Sequence, residues 1–294
     1  MSHLSARVVP AYAKLNLSLS IVGHRADGFH EIDSILVPID WHDLVGVSIA
    51  FATAGAVALK VTGPAADGVP SDGSNLTVRA ARALGGLAGR PLDIHLWLNK
   101  AVPHGAGLGG GSADAAAVLR AGGATLAALD IEIEPAELAA AALGIGSDVP
   151  ALLDIGTHRV RGRGERLERV HTPQLHLVVV STVPSSTAAT YGALLPTEIR
   201  DDGRTERLAE LLAADLAPEP DVMGSALEAA ASRADPAVAA AVRLARAAVP
   251  EVEWHMTGSG GALFAVTAGA AASDVLAAEM RRSGFAARAC RTIG

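Results

Sequence analysis

Near the start of the chain Leu15, Leu17, Leu19 and Ile21 alternate with Asn16, Ser18 and Ser20, the period-two pattern of a strand with one buried face. Apolar runs at Ile35–Val37, Val45–Phe51 and Ala56–Val61 follow, separated by Gly, Asp and His clusters, and predict three further strands. After Asn75 the period changes. In LTVRAARALGGLAG the residues Leu76, Val78 or Arg79, Ala83 and Leu87 fall on one face of a helix. Pro91 opens another strand, LDIHLWL; a glycine run then leads into an Ala-rich helix over about Ser112–Ala128. Glu134-Pro135-Ala136-Glu137 reads as a helix start, with proline in the first turn and acids at the positive end of the dipole, and Gly144–Pro150 breaks that helix.

The pattern restarts near Thr157. Strands are expected at HRV, at LHLVVV (175–180), near Trp254 and at LFAV, with a glycine turn TGSGGA between the last two. Helices are expected after Ser185, after Thr205, around Ala237–Ala248 and over Ser273–Arg282, with a final strand to close. The Ala-rich stretches AADLAPEP and ALEAAASRADPAVAAAVRLARAA retain apolar periodicity and are read as helices, not linkers. No internal repeat is present.

A chain of 294 residues is long for one core, so two domains are expected, 1–155 and 156–294. Half of the residues are hydrophobic and 19% are charged, a globular balance. Aromatics make up only 3%, so Ala, Val and Leu must fill the core, and a ring beside a polar motif stands out. Net charge is −7, from 24 Lys and Arg against 31 Asp and Glu, with no basic run, which argues against a nucleic-acid or anionic-membrane surface. Cys290 is the one cysteine, excluding a disulfide framework or a cysteine metal cluster, and reads as a small buried hydrophobe. The ten histidines show no H-x-x-x-H pair, so no zinc is inferred. The first twenty residues lack a basic-then-apolar leader, and no uncharged apolar stretch reaches the roughly 18 residues of a membrane span. A soluble cytoplasmic protein is expected.

Candidate chemistry centres on PHGAGLGGGSA, Pro103–Ala113. Five of the seven residues from Gly105 to Gly111 are glycine, and an Ala-rich helix follows. Without Cβ atoms the backbone amides can approach an anion, and the helix N-terminus adds unpaired amides and a positive dipole end. A P-loop is excluded because no lysine follows the glycines. Gly105, Gly107 and Gly110 spell a dinucleotide fingerprint, with Asp130 about twenty residues on. That match fails on context, since Asn99–His104 separates the strand from the first glycine and a helix, not a strand, precedes Asp130.

The pattern P-x-G-x-G-L-G-G-G-S-[SA]-D-A-A resembles the phosphate loop of the GHMP kinase superfamily. Within it, AYAKLNLSLSIVGHRADGFH at 11–30 is similar to the opening of the 4-diphosphocytidyl-2-C-methyl-D-erythritol kinase family. Ser74-Asn75-Leu76, Gly146-Ser147-Asp148-Val149-Pro150, Gly162-x-Gly164-Glu165 and Thr257-Gly258-Ser259-Gly260 match the same family in order. Phe29 stands where that family usually has Tyr, and Ala113 where it has a second Ser. The resemblance implies an α+β, two-domain GHMP kinase fold, with a mixed sheet and left-handed crossover in the N-terminal domain and a ferredoxin-like C-terminal domain. It implies ATP with Mg²⁺, a diphosphocytidyl methylerythritol substrate, and a monomer or weak homodimer.

Roles follow from the same resemblance. Lys14 and Asp148 are the expected catalytic pair, Asp148 as base or orienting group and Lys14 holding it ionised. Read alone, Asp148 could equally be a helix N-cap, and a lysine such as Lys14 is more often a solvated strand residue. ATP is assigned to Pro103, His104, Gly105, Ala106, Gly107, Leu108, Gly109, Gly110, Gly111, Ser112 and Ala113, with Asn75 and Lys100. Lys100 could equally be a solvated loop charge. The substrate is assigned to Asn16, Phe29, His30, Thr187 and Tyr191; the rings stack on cytosine and His30 bonds its edge. Tyr191 could instead be a core residue beside Leu194 and Leu195. Gly258–Gly261 closes one end of the cleft or forms a plain hairpin turn. Ser112 could offer Mg²⁺ a hydroxyl, but no carboxylate cluster has ligand spacing, so the metal ligands stay open.

Overall fold

The computed structural model describes residues 5–294. By internal contacts the chain divides into two compact units that interleave along the sequence. One comprises the residues up to Ala13, Trp41–His104 and Gly109–Asp154; the other Lys14–Asp40, Gly105–Leu108 and Ile155–Gly294. Two long strands serve both units: β1, Ser5–His24, and β2, His30–Phe51.

In the first unit β2 pairs antiparallel with β4 (Leu92–Asn99), and β3 (Ala56–Thr62) pairs parallel with β4, giving a mixed sheet. Helix α1 (Leu76–Leu87) connects β3 to β4, and three more follow: α2 (Gly110–Ala127), α3 (Pro135–Ile145) and α4 (Val149–Leu153). Alternation in β4 buries Leu92, Ile94, Leu96 and Leu98. The central helix α2 buries its alanines, small side chains that let α1 approach closely.

One expectation fails here. Ile35–Val37 and Val45–Phe51 are one uninterrupted strand, although Trp41-His42-Asp43 reads as a turn cluster. Asp43 is fully buried, and its carboxylate accepts the amide N–H groups of Ala101 and Val102 and the Lys100 ammonium. A polar residue so completely bonded does not end a strand.

In the second unit, four strands appear in the chain as β7 (His176–Ser181), β9 (His255–Met256), β10 (Ala262–Thr267) and β11 (Ala286–Arg291). They stand in the sheet as β11-β7-β10-β9, all antiparallel. Helix α8 (Pro236–Ala248) precedes β9 and α9 (Ala270–Arg282) joins β10 to β11, which is the ferredoxin-like β-α-β-β-α-β order. Val178, Val180, Val242, Leu263 and Met280 fill the core between sheet and helices. Cys290 in β11 is buried, and burial pushes its thiol up to about 12. The rest of this unit comprises β5 (His158–Gly162), β6 (Arg166–Arg169), α5 (Thr187–Gly192), α6 (Arg204–Ala213), β8 (Gly224–Ser225) and α7 (Glu228–Ala234).

Two more expectations are corrected in this unit. Asn16, Ser18 and Ser20 are as buried as the leucines between them, so β1 has two covered faces there. Hydrogen bonds replace solvent: Asn16 Nδ2 donates to Ser34 Oγ (2.7 Å), Ser18 Oγ to Thr205 Oγ1 (3.1 Å) and Ser20 Oγ to Asp202 Oδ1 (3.2 Å). The stretch AADLAPEP leaves the helix at Ala213, because Asp215 has a φ of 56° and Pro218 and Pro220 carry no amide hydrogen.

Candidate active site

Within the second unit Lys14 and Asn16 stand against two glycine segments, whereas Asp148 belongs to the first unit. Lys14 is 4% exposed; its Nζ donates to Asn16 Oδ1 at 2.7 Å and its amide donates to Leu108 O at 2.9 Å. Lys14 is therefore not a solvated strand residue. The Asn16 amide donates to Thr257 Oγ1 at 2.7 Å, tying β1 to the turn between β9 and β10. That turn, Thr257–Gly261, is a hairpin connection and also covers the start of the glycine loop. A Cβ on Gly107 would lie 2.3 Å from Gly260 O, and one on Gly261 would lie 2.9 Å from Gly105 O. A Cβ on Gly258 would stand 3.4 Å from Asn16 Oδ1 and 3.5 Å from Lys14 Nζ. Two backbones and a buried ammonium thus meet where no side chain can intrude.

Thr187, at the start of α5, shares a hydrogen bond with Ser259 Oγ at 2.8 Å, while Ser185 Oγ and Thr190 Oγ1 donate to Ser259 O at 3.0 and 3.1 Å. Ser225 Oγ donates to Gly258 O at 2.6 Å. Hydroxyls from two segments, 185–190 and Ser225, pin the turn. Thr257 and Ser259 sit inside the TGSG motif, but their partners lie far away in sequence, so the motif did not announce their work. Ser34 had no signal at all.

The rings lie in the same unit. His30 and Tyr191 have ring centroids 5.2 Å apart, and the His24 ring lies 4.7 Å from that of His30, tilted by 58°. Tyr191 also packs with Leu194 against Leu19, Ile21 and Leu227, whereas Leu195 is exposed. Burial, and then the neighbouring His24, lower the pKa of His30, so its imidazole is neutral at neutral pH. Phe29 is half exposed, with the Arg163 guanidinium 4.8 Å from its ring centroid. Arg25 anchors this loop by donating to Glu31 Oε2 (2.9 Å) and Glu165 Oε1 (3.4 Å). His24 and Arg163 are additions; each sits within a quoted motif but was not singled out.

In the first unit α2 begins at Gly110, two residues earlier than expected, so the helix starts inside the glycine run. Its N-cap, Gly109, has a φ of 67°, no side chain caps it and no acid occupies the first turn. Amides at such an end face outward with the positive dipole, a geometry that favours an anion. Lys100 is 2% exposed, with its ammonium on Asp43 Oδ2 and Asp114 Oδ2, so it is not a solvated loop charge. Asn75 caps α1, accepting from the Thr77 amide at 2.8 Å, and its Nδ2 donates to Pro70 O at 2.6 Å. Asp148 is the N-cap residue of α4, and its carboxylate makes no capping bond to that helix. Among the described residues no three His, Cys, Asp or Glu side chains are grouped to hold a metal.

Comparisons with known proteins place the chain among relatives. Residues 75–154 match the model described as GHMP kinases N terminal domain. A 4-diphosphocytidyl-2-C-methyl-D-erythritol kinase of Pelotomaculum thermopropionicum is 37% identical over 279 residues, 93% of each chain. One from Chlorobium luteolum is 42% identical over 188 residues, which span 63% of this chain and 62% of that relative. A crystal structure of 4-(cytidine 5'-diphospho)-2C-methyl-D-erythritol kinase superposes with a TM-score of 0.78 at 31% identity, covering 98% of this chain and all of the other.

Proposed function

The chain belongs to the 4-diphosphocytidyl-2-C-methyl-D-erythritol kinase family of GHMP kinases, and from that premise we propose the reaction it performs. ATP phosphorylates the 2-hydroxyl of 4-diphosphocytidyl-2-C-methyl-D-erythritol, giving the 2-phosphate and ADP in the methylerythritol phosphate route to isoprenoids. The observation that carries this reading is the buried Lys14 ammonium, bound to Asn16 beside the crossing of Gly107 and the Thr257–Gly261 turn. A buried cation next to glycine backbones suits a step whose main demand is to position phosphate and balance its charge.

The acceptor oxygen bonds to the γ-phosphorus as the bond to the bridging oxygen of ADP breaks, and the hydroxyl proton passes to Asp148. Lys14 balances the negative charge that develops on the acceptor oxygen. The glycine loop and the first turn of α2 hold the phosphates through amide N–H groups. Neutral His30 can both donate to and accept from the cytosine edge, while Phe29 and Tyr191 supply stacking faces. Asn16 orients the sugar-alcohol part, and Thr187 acts through Ser259. Asn75 and Lys100, both committed to protein partners, serve the nucleotide side by fixing its loops.

Mg²⁺ would neutralise β- and γ-phosphate charge. The donor set fits a cation held mainly by the nucleotide: Ser112 offers a hydroxyl in the first turn of α2, and Mg²⁺ commonly takes few protein ligands. A cytoplasmic place of action accompanies this reading; no helix among the described residues is long and apolar enough to cross a membrane.

The test is ATP consumption with the diphosphocytidyl substrate against homoserine and mevalonate. Turnover confined to either control would overturn the assignment. Asp148→Asn is expected to lower kcat by orders of magnitude while ATP still binds; near-normal turnover would remove Asp148 from its role.

A further inference from the structure

Beneath the start of α2 lies a group of buried charges, built around Lys100, whose two carboxylates the reaction just described does not employ. Lys100, the residue after β4, directs its ammonium to Asp43 Oδ2 at 2.5 Å and Asp114 Oδ2 at 2.9 Å. These carboxylates come from the middle of β2 and from the second turn of α2, and are 0% and 2% exposed. Asp43 spends its other oxygen on the amides of Ala101 (2.5 Å) and Val102 (2.9 Å). The Trp41 indole N–H donates to Ala101 O at 3.0 Å. Lys100 is held by its backbone too, donating to Thr62 O at 2.7 Å and accepting from the Ala65 amide at 3.0 Å. On its far side the ammonium lies 3.1 Å from where Gly110 would carry a Cβ.

The same ammonium is thus fixed both to the residues leading into the glycine loop, 100–102, and to the helix leading out of it. Such a network is a poor device for stability alone. Burying ions carries a large desolvation penalty, and a hydrophobic trio of similar volume would hold the fold as well. This network is also incomplete: Asp114 Oδ1 is buried with no hydrogen-bond partner. Burial, reinforced by Asp43 and opposed by Lys100, pushes the Asp114 carboxyl up to about 7. What charged hydrogen bonds supply that apolar contacts do not is direction, fixing two chain segments against each other in one geometry.

We propose that Asp43, Lys100 and Asp114 are positioning residues for the nucleotide phosphates, clamping both feet of the glycine loop from beneath and so setting where its amides stand. None of the three touches the nucleotide; each acts through the loop. The inference rests on the reading of that loop as the ATP site.

The obvious variant, Lys100→Met, leaves two buried carboxylates without their cation and can fail to fold. The informative one is therefore the neutral triple variant Asp43→Asn, Lys100→Met, Asp114→Asn, compared with the wild-type chain by circular dichroism, by ADP titration calorimetry and by steady-state kinetics. The triple variant is expected to keep its fold while the ADP dissociation constant and the KM for ATP rise about tenfold, with the KM for the diphosphocytidyl substrate within about twofold. A merely structural role would lower kcat through the active fraction and leave both KM values alone. Unchanged ATP KM and ADP affinity in the folded triple variant, or equal rises in both KM values, would overturn the proposal while leaving the kinase reading intact. Failure of the wild-type chain to bind ADP would remove both.

Discussion

The two halves of the glycine run use the same residue for different physical ends. Gly105 and Gly107 lack side chains because another backbone occupies the space, with Gly260 O only 2.3 Å from a Cβ on Gly107. Gly109–Gly111 instead begin a helix, where the gain is a row of outward amides over a charged support. In the first half glycine is a steric requirement; in the second it keeps an electrostatic surface open. A sequence pattern records only that glycine recurs, and the structure separates the reasons.

Substitution tests that separation. Gly107→Ala should have the largest effect: its φ of 73° disfavours any side chain, and the turn at Gly260 must move. About 3 kcal/mol of stability and roughly a hundredfold in kcat/KM should be lost, read by thermal melts and kinetics. A melting point equal to that of the wild type would show that the crossing yields freely.

Asp114→Asn sharpens the second half. The folded protein keeps the Asp114 proton up to about pH 7, whereas the unfolded chain releases it near the ordinary aspartate value of 3.8. Wild-type stability from this group therefore falls as pH rises between about 4 and 7. The variant lacks that loss, so its melting temperature relative to wild type should climb across this window and then level off. A constant difference would mean that Asp114 is ionised throughout.

Thr257→Val returns to the first half, leaving the Asn16 amide without its acceptor; about 1–3 kcal/mol of stability should go, with kcat falling more than ATP affinity. Gly110→Ala is expected to be mildest. Its Cβ would meet Lys100 Nζ at 3.1 Å and Val102 Cγ1 at 3.2 Å, both side-chain atoms able to give slightly. A rise in ATP KM of two- to fivefold with little thermal change would keep the halves distinct. Equal penalties at 107 and 110 would break the comparison.

Much of this arrangement is legible in the sequence. The glycine run, the β-α-β-β-α-β order after 175 and the motifs around Lys14, Asp148 and Thr257 are local patterns, and local patterns survive in a linear reading. What stayed hidden depends on partners distant in the chain. Asp43 looks like part of a turn because its bonds to 100–102 cannot be seen from residue 43. Ser18 and Ser20 look solvated because Thr205 and Asp202 lie some 180 positions away. The AADLAPEP stretch misled for the opposite reason: alanine periodicity continued after Asp215 and the prolines had already stopped the helix.

The lone thiol in β11 has a practical consequence. Cys290 is paired with Leu177 across the sheet and its proton is held until about pH 12, so a thiol reagent finds no thiolate to attack while the strand is in place. Alkylation therefore counts openings. With a single cysteine in 294 residues, each modified molecule marks one release of the C-terminal strand, and the labelling rate in native buffer becomes a clock for that edge of the protein, readable by intact mass alone.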